Sequence, residues 1–89
     1  MEKAYMIYIY GKVQGVGFRY SALQKANELG IKGFVHNKEN GSVYIEAEGK
    51  GEALEEFIVW CQQGPSWARV DDVKFDTIPL SNYKKFVIR

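Results

Sequence analysis

A chain of 89 residues has room for one hydrophobic core, so a single domain spanning residues 1–89 is expected. With 46% hydrophobic and 15% aromatic residues it is no disordered segment, and a net charge of +1 provides no broad basic field for nucleic acid. Cys61 is the only cysteine, the N-terminus lacks the layout of a secretory signal, and no apolar run reaches membrane-spanning length; together these point to a soluble, cytoplasmic protein, by default a monomer, with no membrane partner.

Tyr5 to Val13 is rich in aromatic and β-branched residues. Ile7 and Ile9 share one face and Met6, Tyr8 and Tyr10 the other, which predicts a strand buried on one side and partly covered on the other. A loop with Gly15 and Gly17 follows. Ala22, Leu23, Ala26 and Leu29 then recur at helical spacing up to Gly30, predicting a helix from Phe18 to Leu29. Gly33 to Lys38 reads as a short strand. Asn40-Gly41 signals a two-residue hairpin, because both residue types tolerate positive φ. Ser42 to Glu48 alternates, with Val43, Ile45 and Ala47 inward and Tyr44, Glu46 and Glu48 outward. Gly49-Lys50-Gly51 reads as a loop. Leu54, Phe57, Ile58 and Cys61 mark a second amphipathic helix, closed by Gly64-Pro65. Val70, Val73, Phe75 and Ile78 suggest a fourth strand with a bulge near Asp71-Asp72. Pro79 and Ser81-Asn82 form a turn, and Phe86-Val87-Ile88 a terminal strand.

The expected fold is therefore α+β: a ferredoxin-like βαββαβ sandwich, an antiparallel sheet with two helices on one face and a short extra C-terminal strand. A helical crossover joins the first and second strands, so they run parallel and end at the same edge of the sheet. The glycine loop leaves the first strand at that edge, and Asn37 lies near the end of the second. Residues 14–19 and Asn37 can thus share a site, provided that the third strand between them is bridged.

Within that loop, exposed amides at the start of a helix can converge on an anion, and the helix dipole adds positive charge there. Arg19 in the first turn is electrostatically misplaced by about 0.3–1 kcal/mol, which makes sense if a multiply charged anion binds between it and the amides. Alternatively, Gly15 and Gly17 only shape a turn and Arg19 points into water. A dinucleotide fingerprint does not fit, since its third glycine position is Tyr20. His36, the only histidine, alternates to the face opposite Asn37 and reads as a surface residue, not a general base. Cys61 falls on an apolar helix face and reads as a core thiol. Asp71-Asp72 reads as a solvated pair, and one histidine with one cysteine cannot make the usual zinc set, so no metal is expected. Asn37 admits two readings, a hairpin cap or a carboxamide holding a water.

Several blocks resemble the acylphosphatases: Gly11-x-Val13-Gln14-Gly15-Val16-Gly17-Phe18-Arg19, Ala26-x-x-Leu29-Gly30, and Gly33-Phe34-Val35-x-Asn37-x-x-x-Gly41-Ser42-Val43. Gly49, Gly64-Pro65, Ala68-x-Val70 and Phe86-x-Ile88-Arg89 extend the resemblance over almost the whole chain. It implies the same ferredoxin-like fold and the hydrolysis of acyl phosphates to a carboxylate and inorganic phosphate, with no cofactor or metal. Arg19 corresponds to a phosphate-binding arginine, Asn37 to the residue that holds the attacking water, and the backbone amides of Gly15, Val16, Gly17, Phe18 and Arg19 to the phosphate cradle. Phe34, His36, Lys38 and Asn40 stand where tryptophan, arginine, threonine and aspartate are common. Lys38 bears most on the site, because it neighbours Asn37.

Two other functions fit the same pattern of elements. One is a non-catalytic regulatory domain that keeps the anion site. The other is an RNA-binding module, since Ile7-Tyr8-Ile9-Tyr10-Gly11 and Lys32-Gly33-Phe34-Val35 loosely resemble the motifs of RNA-recognition domains. The second of these lies on the wrong strand, and outward Glu46 and Glu48 would repel a phosphate backbone, so no nucleic-acid partner is expected.

Overall fold

The computed structural model describes residues 1–89. Its elements are β1 (Glu2–Lys12), α1 (Phe18–Leu29), β2 (Lys32–Asn37), β3 (Val43–Lys50), α2 (Gly51–Gln63), β4 (Arg69–Thr77) and β5 (Phe86–Ile88). The sheet order is β4-β1-β3-β2-β5. β3 pairs antiparallel with both β1 and β2, so β1 and β2 run parallel with β3 between them. The ferredoxin-like α+β arrangement read from the chain is present.

The core lies between the two helices and one face of the sheet. Ile7 and Ile9 of β1, Val43, Ile45 and Ala47 of β3, and Val35 of β2 meet Ala22 and Ala26 of α1 and Leu54, Phe57 and Cys61 of α2. All of these are fully buried. Each large side chain so buried contributes about 1.5–3 kcal/mol. The desolvation that holds Cys61 in this core also raises its thiol pKa above the usual value.

Several expectations need correction. The sheet is mixed, not wholly antiparallel: β5 runs parallel to β2. After β4, residues 78–85 cross the sheet's helix-free face. Ile78 N–H donates to Ala4 O at 3.0 Å, and Gly33 N–H donates to Lys85 O at 3.0 Å where β5 begins. This crossing buries Glu48, which is 5% exposed rather than outward in solvent. Its carboxylate accepts the backbone N–H groups of Ser81 and Tyr83. Glu46 likewise accepts the hydroxyls of Tyr44 at 2.6 Å and Tyr83 at 2.8 Å. Burial, reinforced by Glu46, raises both phenol pKa values.

The hairpin between β2 and β3 is longer than a two-residue turn. Lys38 N–H bonds Ser42 O, Gly41 N–H bonds Lys38 O, and only Gly41 of the pair takes positive φ, at 90°. Asn40 is used as an acceptor instead: its Oδ1 takes the N–H and the hydroxyl of Ser42. There is no loop at Gly49-Lys50-Gly51. Both Gly49 and Lys50 find partners on β1 because that strand already starts at Glu2, and α2 begins directly at Gly51. The bulge in β4 falls where it was expected: Tyr10 faces Asp72 and Gly11 faces Val70, which leaves Asp71 as the extra residue.

Candidate active site

The loop after β1 is pinned at both ends by apolar side chains. Val13 is 1% exposed and Phe18 2% exposed, and the Phe18 ring meets Trp60 of α2 at 5.3 Å. Between these anchors Gly15 and Gly17 take φ values of 74° and 78°, a conformation that costs other residues about 1–2 kcal/mol. Gly17 is the N-cap of α1 and has no side chain to cap the helix. No hydrogen bond within the protein takes the backbone N–H of any residue from Gly15 to Tyr20. A helix start left uncapped in this way is an anion-binding geometry.

Val13, Gly15, Gly17, Phe18, Arg19, Tyr20, Asn37 and Ile88 line one cleft of about 230 Å³. The structure thus brings together Arg19, Asn37 and the glycine loop, which the parallel arrangement of β1 and β2 allows. Arg19 is exposed and makes no ion pair or side-chain hydrogen bond. Asn37 sits on the helix side of β2, paired with Val43, and its Oδ1 is the one buried side-chain polar atom without a hydrogen-bond partner. A buried acceptor left open costs about 1–3 kcal/mol unless a donor reaches it. The cleft is therefore lined by unpartnered backbone donors and by Asn37, whose carboxamide oxygen is buried and without a partner.

Lys38 is turned away from this cleft. Its ammonium lies 5.9 Å from the Tyr8 ring centroid and 5.6 Å from that of Tyr44, on the helix-free face of the sheet. Arg89 is drawn to the same face, where its guanidinium stands 4.0 Å from the Phe34 ring centroid. His36 is exposed there too, opposite Tyr44. Asp71 is engaged by Arg69 at 3.0 Å, which holds its carboxyl pKa below the usual value.

Sequence reasoning missed Ile88, and it placed Gln14 and Tyr20 in the stretch around the glycine loop without giving either a role. Tyr20 extends the run of free amides by one residue. Ile88 enters the cleft because β5 runs parallel to β2, and its alternation with buried Phe86 was the only hint. Gln14 is half-buried, and its Nε2 donates to Lys38 O at 2.7 Å and Ser42 O at 3.0 Å.

Comparison with known proteins decides the family. The sequence model of the acylphosphatase family matches residues 5–88. This chain belongs to the acylphosphatases. A relative named acylphosphatase from Yersinia pseudotuberculosis serotype O:1b (strain IP 31758) is 43% identical over 91 residues, covering 100% of this chain and 99% of its own. The solved structure of an acylphosphatase from Coxiella burnetii superimposes with a TM-score of 0.96 at 35% identity, over 99% of this chain and 93% of that one. Full-length HypF in its phosphate- and nucleotide-bound form also contains this fold. The TM-score is 0.94 at 36% identity, but the match covers only 12% of that chain and 100% of this one. The acylphosphatase assignment makes the chain a hydrolase.

Proposed function

We propose that this acylphosphatase hydrolyses the carboxyl–phosphate anhydride of small acyl phosphates by direct, metal-independent attack of water on phosphorus. The observation that carries the reading is the set of groups gathered in one cleft: the unpartnered amides of Gly15 to Tyr20, the free Arg19 guanidinium and the Asn37 carboxamide.

Phosphoryl transfer depends on positioning and charge stabilisation more than on covalent help. Arg19 makes two parallel charge-assisted bonds to phosphoryl oxygens, and the loop amides hold the remaining oxygen. These donors are in place before reaction, so little reorganisation is needed as charge shifts. The Asn37 carboxamide hydrogen-bonds the attacking water and aligns its oxygen with phosphorus, opposite the leaving group. The water oxygen bonds to phosphorus, the bond from phosphorus to the bridging oxygen breaks, and both water protons stay with the phosphate. The products are a carboxylate and dihydrogen phosphate. A carboxylate leaves readily because its conjugate acid has a pKa of about 4–5, so no general acid is required. The absence of His, Asp and Glu from the cleft lining is consistent with this chemistry.

A monomer of one domain in a reducing cytoplasm is the form we propose, supported by a single, buried, free Cys61. The likeness to a small part of HypF keeps a second reading in view, a domain that binds the anion without turning substrate over.

Hydrolysis of benzoyl phosphate separates the two readings. Turnover that survives a chelator, and that falls at least about 10²-fold in Asn37→Ala with inorganic phosphate affinity unchanged, is the expected result. Phosphate binding without turnover in the wild type would favour the regulatory reading.

A further inference from the structure

The cradle and Asn37 must keep a fixed separation, yet the backbone ladder that runs from β1 through β3 to Asn37 ends at Ile9, short of the cradle. β3 stands between β1 and β2, and its pairing with β1 ends at Ile9 opposite Val43. Val43 is also the last β3 residue paired with β2, opposite Asn37. Beyond that rung β1 continues to Lys12 and then enters the glycine loop, with a gap on the side where β3 has stopped.

We propose that Gln14 is a positioning residue that bridges this gap and sets the distance between the phosphate cradle and Asn37. Its carboxamide uses both protons across the gap, on Lys38 O and Ser42 O. These carbonyls flank the Asn37–Val43 rung, because Lys38 follows Asn37 and Ser42 precedes Val43. They also belong to the hairpin's own closure: Ser42 O accepts Lys38 N–H at 2.9 Å, and Lys38 O accepts Gly41 N–H at 3.1 Å. Gln14 is thus tied to a frame that is already rigid. No other hydrogen bond links residues 13–19 to residues 36–42. With two carbonyl oxygens as partners, the nitrogen of the amide must face them, which settles its orientation.

The inference rests on the proposed mechanism, in which Asn37 holds the water and the cradle holds phosphorus. In-line attack needs the reacting atoms about 3–3.5 Å apart, and an error of 1 Å costs roughly 10²-fold in rate. A loop and the end of a strand hold such a tolerance best when they are tied to each other.

Two variants test the bridge. Gln14→Met keeps the volume and removes both donors. Gln14→Glu keeps the shape but turns carboxylate oxygens toward two carbonyl oxygens. With benzoyl phosphate, kcat should fall about 10- to 100-fold in Gln14→Met and further in Gln14→Glu, while the inhibition constant of inorganic phosphate changes less than about 3-fold. A purely structural role would weaken phosphate binding in parallel. The deciding measurement is a double-mutant cycle: in an Asn37→Ala background, Gln14→Met should lower kcat by no more than about 2-fold, since there is no held water left to misplace. An unchanged kcat in both single variants, a parallel loss of phosphate affinity, or an additive cycle would overturn the assignment to Gln14 alone. A wild-type protein inactive on every acyl phosphate would overturn it together with the mechanism beneath it.

Discussion

Removing the Arg19 side chain should move stability and activity in opposite directions. Arg19 occupies the first turn of α1, is exposed, and has no partner within the protein. Its charge therefore opposes the helix dipole with nothing to offset it while the cleft holds no anion. Arg19→Ala relieves about 0.3–1 kcal/mol at low ionic strength. At about 4–8 °C per kcal/mol for a domain of this size, Tm should rise by roughly 1–8 °C in phosphate-free buffer. Turnover of benzoyl phosphate should fall about 10²–10³-fold, the cost of one preorganised donor, or roughly 2.7–4 kcal/mol of transition-state stabilisation. Arg19→Lys keeps the charge but loses the fork, so its Tm should match the wild type while its activity falls nearly as far. Inorganic phosphate supplies the third comparison. At a hundredfold excess over Kd it stabilises the wild type by about 2.7 kcal/mol, and that gain should largely vanish in Arg19→Ala. Thermal unfolding with and without phosphate, beside steady-state kinetics, reads all three. An Arg19→Ala protein less stable than wild type in phosphate-free buffer, or one retaining a tenth of its activity, would refute the argument.

Two further predictions concern the scaffold. Glu48→Gln should destabilise the fold by about 1.5–3 kcal/mol, because both carboxylate oxygens accept backbone N–H groups and an amide can serve only one of them. Urea unfolding measures the loss, and faster hydrogen exchange at Ser81 and Tyr83 would localise it to the crossing segment. Cys61 makes the protein sensitive to alkali. Its thiol pKa is raised in the fold, so its contribution is complete below the unfolded value of about 8.5 and is lost as pH rises above it. Cys61→Ala starts less stable because of the cavity, but its disadvantage should shrink by up to about 1.4 kcal/mol per pH unit between pH 8.5 and 10. Parallel stability curves for the two proteins over that range would contradict this.

Local pattern made most of the architecture legible. Period-2 alternation placed Val43, Ile45 and Ala47 inward, helical spacing placed Ala22, Ala26, Leu54 and Phe57 inward, and all of them are buried. The boundaries of α1 were legible for the same reason: they depend on residues close in sequence. Errors arose where a distant segment supplied the partner. Glu48 alternates as an outward residue, but residues 81–83 return to cover it. Gly49 and Lys50 read as loop because nothing local shows that β1 starts early enough to pair with them. The hairpin is the exception, a local misreading: Asn40-Gly41 has the composition of a tight turn, yet Asn40 Oδ1 accepts the N–H and the hydroxyl of Ser42, two residues on.

The candidate site divides along the same line. By itself the sequence determined its ingredients: two glycines able to take positive φ, an arginine at a helix start, and an asparagine at the end of a strand parallel to the first. Those follow from conformational preference and crossover topology, which need no knowledge of packing. Only the tertiary structure decided the rest. It set Asn37 in the cleft lining with its Oδ1 buried and unpartnered, drew Lys38 and Arg89 away onto aromatic rings, and brought Ile88 in through a parallel terminal strand. It also placed Gln14 across the gap that β3 leaves. Each of these depends on segments far apart in the chain, on how the sheet is ordered and where its strands stop.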